Sequence, residues 1–288
     1  GTNSNTYFYS TDKPISREQV VTAGRSWKEC NWWTLCANAK YYAEYYRTVT
    51  QRNVQTYSVK ADYPIAIEYI GFDQGAVAVS SNADVLMNGA IYNRDGNTSV
   101  SSSAGAIGQL GSTALITGNS VALSAATGIG SATQAVDVQL AGGKLDAITA
   151  SGDIHLQQAV GDLRIGTVGG RGAGLVRLTA EGSLLSADSA SSVQGKRVEL
   201  TATNGGIGVL DGIADTPLVV RTGYSSDTGQ WPDLGLAATA RDNIFLRNLG
   251  DAGAAAVFSG NLLLVSVESL AGDVRIETSG TLIDNNPF

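Results

Sequence analysis

Gly152-Asp153-Ile154-His155-Leu156 is followed by Gly161-Asp162-Leu163-Arg164-Ile165, and the same phrase returns as Gly182-Ser183-Leu184 and Gly272-Asp273-Val274-Arg275-Ile276. Gly280-Thr281-Leu282 and, earlier, Gly105-Ala106-Ile107 are further copies. A glycine, one residue, then an aliphatic that leads an alternating tail, repeated at intervals of roughly 20 residues, marks a solenoid in which each copy is one rung stacked on the last.

Between the phrases the chain reads as strand after strand. Ile65-x-Ile67, Val77-x-Val79, Val121-x-Leu123, Val136-x-Val138-x-Leu140, Val176-x-Leu178, Val198-x-Leu200, Leu218-x-Val220, Ile244-x-Leu246 and Val265-x-Val267 alternate with period two, the pattern of a strand that buries one face and wets the other. Gly, Asn, Asp and Ser fill the gaps. Val176-Arg-Leu178-Thr-Ala180 and Val198-Glu-Leu200-Thr-Ala202 lie 22 residues apart, whereas Val121-Ala-Leu123-Ser-Ala125 precedes the first of them by 55. That spacing is no multiple of 22, so the coil length varies and insertions bulge from the corners. A β-sandwich also has many short strands, but it calls for Asn-Gly hairpins between equal arms. Asn88-Gly89 and Asn204-Gly205 fall instead within the rung phrase. The pattern therefore predicts an all-β, right-handed parallel β-helix over residues 62–288, with about ten rungs at ~4.8 Å each.

Composition agrees. The 288 residues include 35 Gly but only 5 Pro, and the apolar fraction of 43% argues against disorder. No apolar run reaches the ~18 residues that span a bilayer. The polar start, Gly1-Thr2-Asn3-Ser4-Asn5, is not a signal peptide, so the chain reads as a mature product or an excised piece. The net charge of −7 is uneven: residues 1–61 hold 8 Lys+Arg against 4 Asp+Glu, and residues 62–288 hold 11 against 22. The long acidic part repels nucleic acid and anionic membrane, so neither is an expected partner.

Residues 1–61 form a second region, dense in aromatics and mixed α/β in its signals. Ser16-Arg17-Glu18-Gln19 fits a capping box, which predicts a helix from about Ser16 to Arg25. Tyr42, Tyr46 and Val49 have helical spacing, and Val54, Thr56, Tyr57 and Val59 favour strand. The expectation is helix up to about Tyr46 and strand after about Thr48. Cys30 and Cys36 are the only cysteines. Their closeness favours a disulfide closing a small loop over two buried thiols. With one distant histidine they do not supply a zinc site.

The run Val59-Lys60-Ala61-Asp62-Tyr63-Pro64-Ile65-Ala66-Ile67-Glu68-Tyr69-Ile70-Gly71 continues in Asp84-Val85-Leu86-Met87-Asn88-Gly89-Ala90-Ile91-Tyr92-Asn93. Together with the Val-x-Leu-x-Ala rungs and the Gly-Ser-Leu or Gly-Ile-Gly turns, it resembles the long surface adhesins of bacteria. These are the filamentous-haemagglutinin-like proteins, especially the leukotoxin-related filamentous adhesins. The likeness covers most of residues 59–285 and is specific for architecture. It implies a segment of a very long secreted fibre on the surface of a Gram-negative-type cell, serving adhesion, aggregation or biofilm cohesion. The implied partners are further copies or neighbouring segments meeting end to end, with surface glycans as a second class. Residues 1–61 depart from that pattern.

Many β-helices degrade polysaccharides, which requires carboxylates held together. Asp153, Asp162 and Asp273 each follow a rung glycine, where turn chemistry explains them: the carboxylate bonds its local backbone. His155, between Ile154 and Leu156, points outward from its strand. Gly166-Thr-Val-Gly169-Gly170-Arg171-Gly172 lacks the Lys-Ser/Thr of a phosphate loop and reads as a corner. No catalytic, cofactor or metal site is expected, and the chain is read as a structural protein. The candidate binding residues are Trp32, Trp33, Tyr41 and Tyr45, since exposed Trp and Tyr stack on sugars and anchor interfaces. A small satellite core beneath the cysteine loop is the competing reading. A carbohydrate-binding module built on these aromatics, or less favourably a polysaccharide lyase or hydrolase, remains the alternative function.

Overall fold

The computed structural model describes residues 26–29, 40–43, 54–58, 69–70, 74–170, 172–222, 234–251 and 258–286. No helix occurs among them. Strands β1 (Ser26–Glu29) and β2 (Lys40–Ala43) form an antiparallel pair in the register Trp27↔Tyr42 and Lys28↔Tyr41. The helix expected up to Tyr46 is therefore corrected over Lys40–Ala43. Backbone pairing with Ser26–Glu29 prevails there over an i, i+4 spacing, in keeping with the preference of aromatic residues for strands. The Ser16–Arg25 helix and the Cys30–Cys36 loop lie outside the described residues.

From β3 onward the chain alternates between two long parallel sheets. Sheet A takes β3 (Val54–Ser58), β5 (Ala76–Ser81), β8 (Thr98–Ser102), β11 (Val121–Ala125), β13 (Leu145–Thr149), β15 (Leu163–Gly169), β18 (Ser192–Gln194), β20 (Leu218–Arg221), β22 (Ile244–Asn248) and β24 (Val274–Thr278). Sheet B takes β4 (Tyr69–Ile70), β7 (Ala90–Tyr92), β10 (Leu115–Gly118), β12 (Val136–Leu140), β14 (Gly152–Gln158), β16 (Ala173–Ala180), β19 (Arg197–Ala202), β21 (Gly235–Ala240), β23 (Leu262–Ser269) and β25 (Leu282–Asp284). Short strands β6 (Val85–Met87), β9 (Ile107–Gln109) and β17 (Leu184–Ser186), with one-residue bridges at Ile129 and Ile207, fill a third set of pairings. The result is a parallel β-solenoid of about eight turns. Parallel pairing throughout both sheets excludes the sandwich. β3 precedes the composition change at Ala61–Asp62 and pairs with β5 through Thr56↔Ala78.

The alternation of sheets explains the irregular spacing. Val176 pairs with Val198 and Leu178 with Leu200, all in sheet B, whereas the Val121-x-Leu123 copy lies in sheet A. Inward aliphatics stack into columns. One column runs Val85, Ile107, Ile129, Ile154, Val176, Val198, Leu236 and Leu264. Another runs Leu163, Leu184, Ile207, Ile244 and Val274. As far as Leu236 and Ile244 they belong to one continuous core that runs from Val77 to Leu262. At the last turn the columns emerge: Val274 is 46% and Leu282 52% exposed, although Ile244 and Leu262 beneath them are fully buried.

The rung glycines have a steric reason. A Cβ on Gly182 would land on the Asp162 carboxylate of the preceding turn and stand 2.7 Å from the carbonyl carbon of Gly161. Gly105, Gly174, Gly272 and Gly280 face Asp84, Asp153, Asn243 and Asn261 in the same way. Gly108, in contrast, would place a Cβ only 3.4 Å from the Leu86 side chain. Overpacking against fixed backbone costs about 1–3 kcal/mol. The expected result in equilibrium unfolding is a loss in that range for Gly182→Ala and a change within about 0.5 kcal/mol for Gly108→Ala.

Candidate functional site

The acids at the corners do not bond their local backbone as the sequence suggested; they reach the next turn. The Asp162 carboxylate accepts the Ser183 N–H at 2.7 Å, and Asp153 accepts that of Leu175 at 2.9 Å. Asp84 holds Ala106 at 2.8 Å and Asp146 holds Thr167 at 2.8 Å. Asn243 and Asn261 play the same part for Asp273 and Thr281, at 2.7 and 2.9 Å. The physical cause is the glycine just before each donor, whose missing side chain leaves room for the acceptor. Asp273 therefore enters this ladder through its N–H. Asp153 stands in the Ile154 column and Asp162 in the Leu163 column, so the three sequence-marked acids are spread along the solenoid. Among the described residues no three of His, Cys, Asp and Glu gather to hold a metal ion.

His155 faces away from the core, since Ile154 and Leu156 on either side of it are core residues. It is nonetheless only 3% exposed, which corrects the expectation of a solvent-facing imidazole. Its Nε2 lies 4.0 Å from the Asp153 carboxylate and its Nδ1 is buried without a hydrogen-bond partner. Burial, reinforced by the Arg177 guanidinium, pushes its pKa below the ordinary value, against the weaker pull of Asp153 and Glu199. A base in this setting has no orienting carboxylate at hydrogen-bond distance.

Beside it lies a device that sequence reasoning missed. Glu199 is gripped by Arg177 from the turn below and by Arg197 from its own strand, both at 2.7 Å. Glu277 is gripped likewise by Arg247 and Arg275, both at 2.6 Å. The signal was present as Arg197-Val198-Glu199 and Arg275-Ile276-Glu277, each with an arginine one turn earlier at the same register. Burial pushes the Glu199 carboxyl up, but the hydrogen bonds and charges of the two guanidiniums outweigh it and leave the pKa below the usual carboxylate value. For Glu277 the Arg247 hydrogen bond is the leading cause of a shift in the same direction.

One concavity among the described residues is a polar groove of about 480 Å³ on sheet A, to which β15, β18 and β20 contribute Thr167, Ser192, Gln194 and Arg221. Arg221 Nη1 donates to the Gly250 carbonyl at 3.1 Å and pairs with Asp251 at 3.2 Å. Gln194 Nε2 donates to the Ser192 hydroxyl at 2.8 Å. These groups come from successive turns and had no contiguous sequence signature. Of the aromatic candidates, Tyr41 lies on β2, with its side chain outside the description, and Trp32, Trp33 and Tyr45 lie outside the described residues. Compared with known proteins, the chain matches no family model, and no similar curated protein or solved structure is found.

Two outcomes follow from these contacts. Asp162→Ala removes the acceptor of the Ser183 N–H at an exposed corner and is expected to lose about 0.5–1.5 kcal/mol in denaturant titration. Asp162→Asn, which keeps a carbonyl as at Asn243, is expected to stay near the parent. Glu199 is depressed in the folded state, so its stabilisation is present above its ordinary value and lost as pH falls through the lower folded value. The difference in denaturation midpoint between the parent and Glu199→Gln is expected to be largest at neutral pH and to shrink under acid.

Proposed function

We propose that this chain is a structural segment of a secreted bacterial surface fibre or adhesin, acting outside the cell in adhesion, aggregation or biofilm cohesion. The observation that carries the reading is the commitment of the corner acids. Asp84, Asp146, Asp153 and Asp162 each hold a backbone N–H of the following turn, which suits a rod and leaves them ill placed as a catalytic pair. The sequence resemblance to filamentous-haemagglutinin-like proteins supports the same role. Neighbouring segments or further copies are the partners, stacking end to end on the half-exposed Val274 and Leu282 and on the unpaired edges of β24 and β25.

A second reading, glycan binding, has its own observation. The groove over Thr167, Ser192, Gln194 and the Arg221–Asp251 pair offers hydroxyl, amide and charged groups that match the donors and acceptors of a sugar chain.

Display of the segment on a non-adherent bacterial cell is expected to speed settling of the cells and to raise biofilm mass. No product is expected from a panel of acidic and neutral polysaccharides. Polysaccharide cleavage that disappears in the Asp153→Asn, Asp162→Asn double variant would overturn the structural role. Binding on a glycan array that is weakened by Arg221→Ala would establish the second reading, and uniform silence on the array removes it.

A further inference from the structure

Two excursions leave the solenoid in the same way. After Gly128-Ile129-Gly130 the chain departs at Gly130 (φ +68°) and returns at Val136, which pairs with Leu156. After Gly206-Ile207-Gly208 it departs at Gly208 (φ +69°) and returns at Leu218, which pairs with Leu246. Each is pinned to the following turn by one bridge, Ile129↔Ile154 and Ile207↔Ile244, and to the preceding turn by another, Ile107↔Ile129 and Leu184↔Ile207. In each the residue after the bridged partner donates its N–H back to the isoleucine carbonyl at 2.7 Å: His155 to Ile129, Phe245 to Ile207. Any side chain at Gly130 would press on the His155 backbone and Cβ, and one at Gly208 on the Phe245 carbonyl. His155 and Phe245 are thus equivalent outward-facing positions beneath equivalent excursions, and both are buried, at 3% and 2% exposure. An arginine stands across each in the next turn. Arg177 is registered to His155, and Arg275 to Phe245, lying 4.6 Å over that ring.

The two fillers differ in one respect. Phenylalanine is neutral at every pH, and the Arg275 cation is attracted to its face. Histidine can take a proton, and its unpartnered Nδ1 is the atom that would receive it in a site with no acceptor for the resulting N–H. We infer that His155 is an acid-sensitive latch under the Ser131–Ala135 excursion: protonated, it cannot remain buried beside Arg177, and the excursion lifts from sheet B.

The charges around it support that outcome. On its own strand Asp153 is the one carboxylate nearby, at 4.0 Å, and its other oxygen is occupied by the Leu175 N–H. β16 contributes the positive Arg177. Glu199 on β19 is already held by Arg177 and Arg197. On the opposite side, Asp137 of β12 accepts the Gln109 side chain, and Ser131-Ala132-Thr133-Gln134-Ala135 has no titratable group. The excursion itself is closed only by the Ser131–Gln134 exchange of backbone hydrogen bonds, at 2.8 and 3.2 Å, and the Ser131 hydroxyl. Because the buried imidazole is depressed, the closed form is fully favoured above the ordinary histidine value of about 6.5 and loses ground as pH falls from there toward the depressed value.

Amide hydrogen exchange on the whole chain, corrected for intrinsic rates, tests this between pH 7.5 and 5. The expected result is that protection of the Ser131 and Gln134 amides falls by up to about tenfold per pH unit below about 6.5. The equivalent Val209 and Thr216 amides stay level. His155→Phe, which copies the Phe245 arrangement, is expected to make the Ser131 and Gln134 amides level too. Flat protection in the parent, an equal loss at Val209 and Thr216, or the same acid loss in His155→Phe overturns the inference. His155 is the only histidine, so its imidazole resonance can also be followed in the unaltered chain. Titration at or above the ordinary value overturns the inference whether or not the variant folds.

Discussion

At the corners formed by Asp84, Asp146, Asp153, Asp162, Asn243 and Asn261, a side chain of one turn sits where the next turn would carry its Cβ. That single contact links the features that repeat in the sequence. The acceptor, Asp84, Asp153, Asp162, Asn243 or Asn261, satisfies a backbone N–H that a parallel corner would otherwise leave bare. The glycine before that donor makes room for the acceptor. The aliphatic after the donor then falls on the aliphatic of the turn below, because the corner bond fixes the register at its first residue. That placement sets the steps Val85 to Ile107 and Ile154 to Val176 in one column, and Leu163 to Leu184 and Ile244 to Val274 in the other.

Register fixed at the corners leaves turn length free elsewhere. The Asp162 bond spans 21 residues and the Asn243 bond 30, yet Leu163 stacks on Leu184 and Ile244 on Val274 alike. The additional residues leave as excursions, and two of these stand opposite an outward position that is buried, His155 and Phe245. An outward residue therefore meets one of two fates. Under a roof it must fill space, as Phe245 and His155 do. In the open it is polar and is held by its neighbours in the ladder, as Glu199 and Glu277 are by their paired arginines. These pairs lie across a parallel sheet, where strand order alone brings residues 22 or 30 positions apart side by side.

The inward half of this design was legible from residue order, since period-two aliphatics and rung glycines are local signals. Five features were not. The placement of Val121-x-Leu123 on a different sheet from Val176-x-Leu178 is invisible to a repeat search, because both sheets use the same binary pattern. The acids after the rung glycines were assigned to their own turn, because a carboxylate one residue past a glycine has the same local appearance whether its partner is adjacent or a full turn away. The alternation of its strand gives the side His155 faces but not its burial; Gly130–Val136 of the preceding turn stands opposite it, between the pairings Ile129↔Ile154 and Val136↔Leu156. At Lys40–Ala43 the helical spacing of tyrosines lost to pairing with Ser26–Glu29, a partner that no window on the second segment contains. The groove over Thr167, Ser192 and Arg221 is of the same kind: three strands, three turns and no contiguous phrase.

The division between what repeats and what does not bears on where function lies. The corner ladder engages its acids in holding turns together, so the repeating part supplies length and stiffness and little chemistry. Chemistry specific to this chain has to sit where the repeat is broken: in the excursions, in the groove where β18 narrows sheet A to three residues, and in the outward residues they cover. His155 occupies such a place. It fills space as Phe245 does at neutral pH, and it carries a proton site that Phe245 lacks. A turn that needed only stiffness would be equally served by the aromatic ring. The presence of an ionisable one under the smaller excursion, five residues from Ser131 to Ala135 without a charge of their own, gives that turn a response to acid that its equivalent does not have.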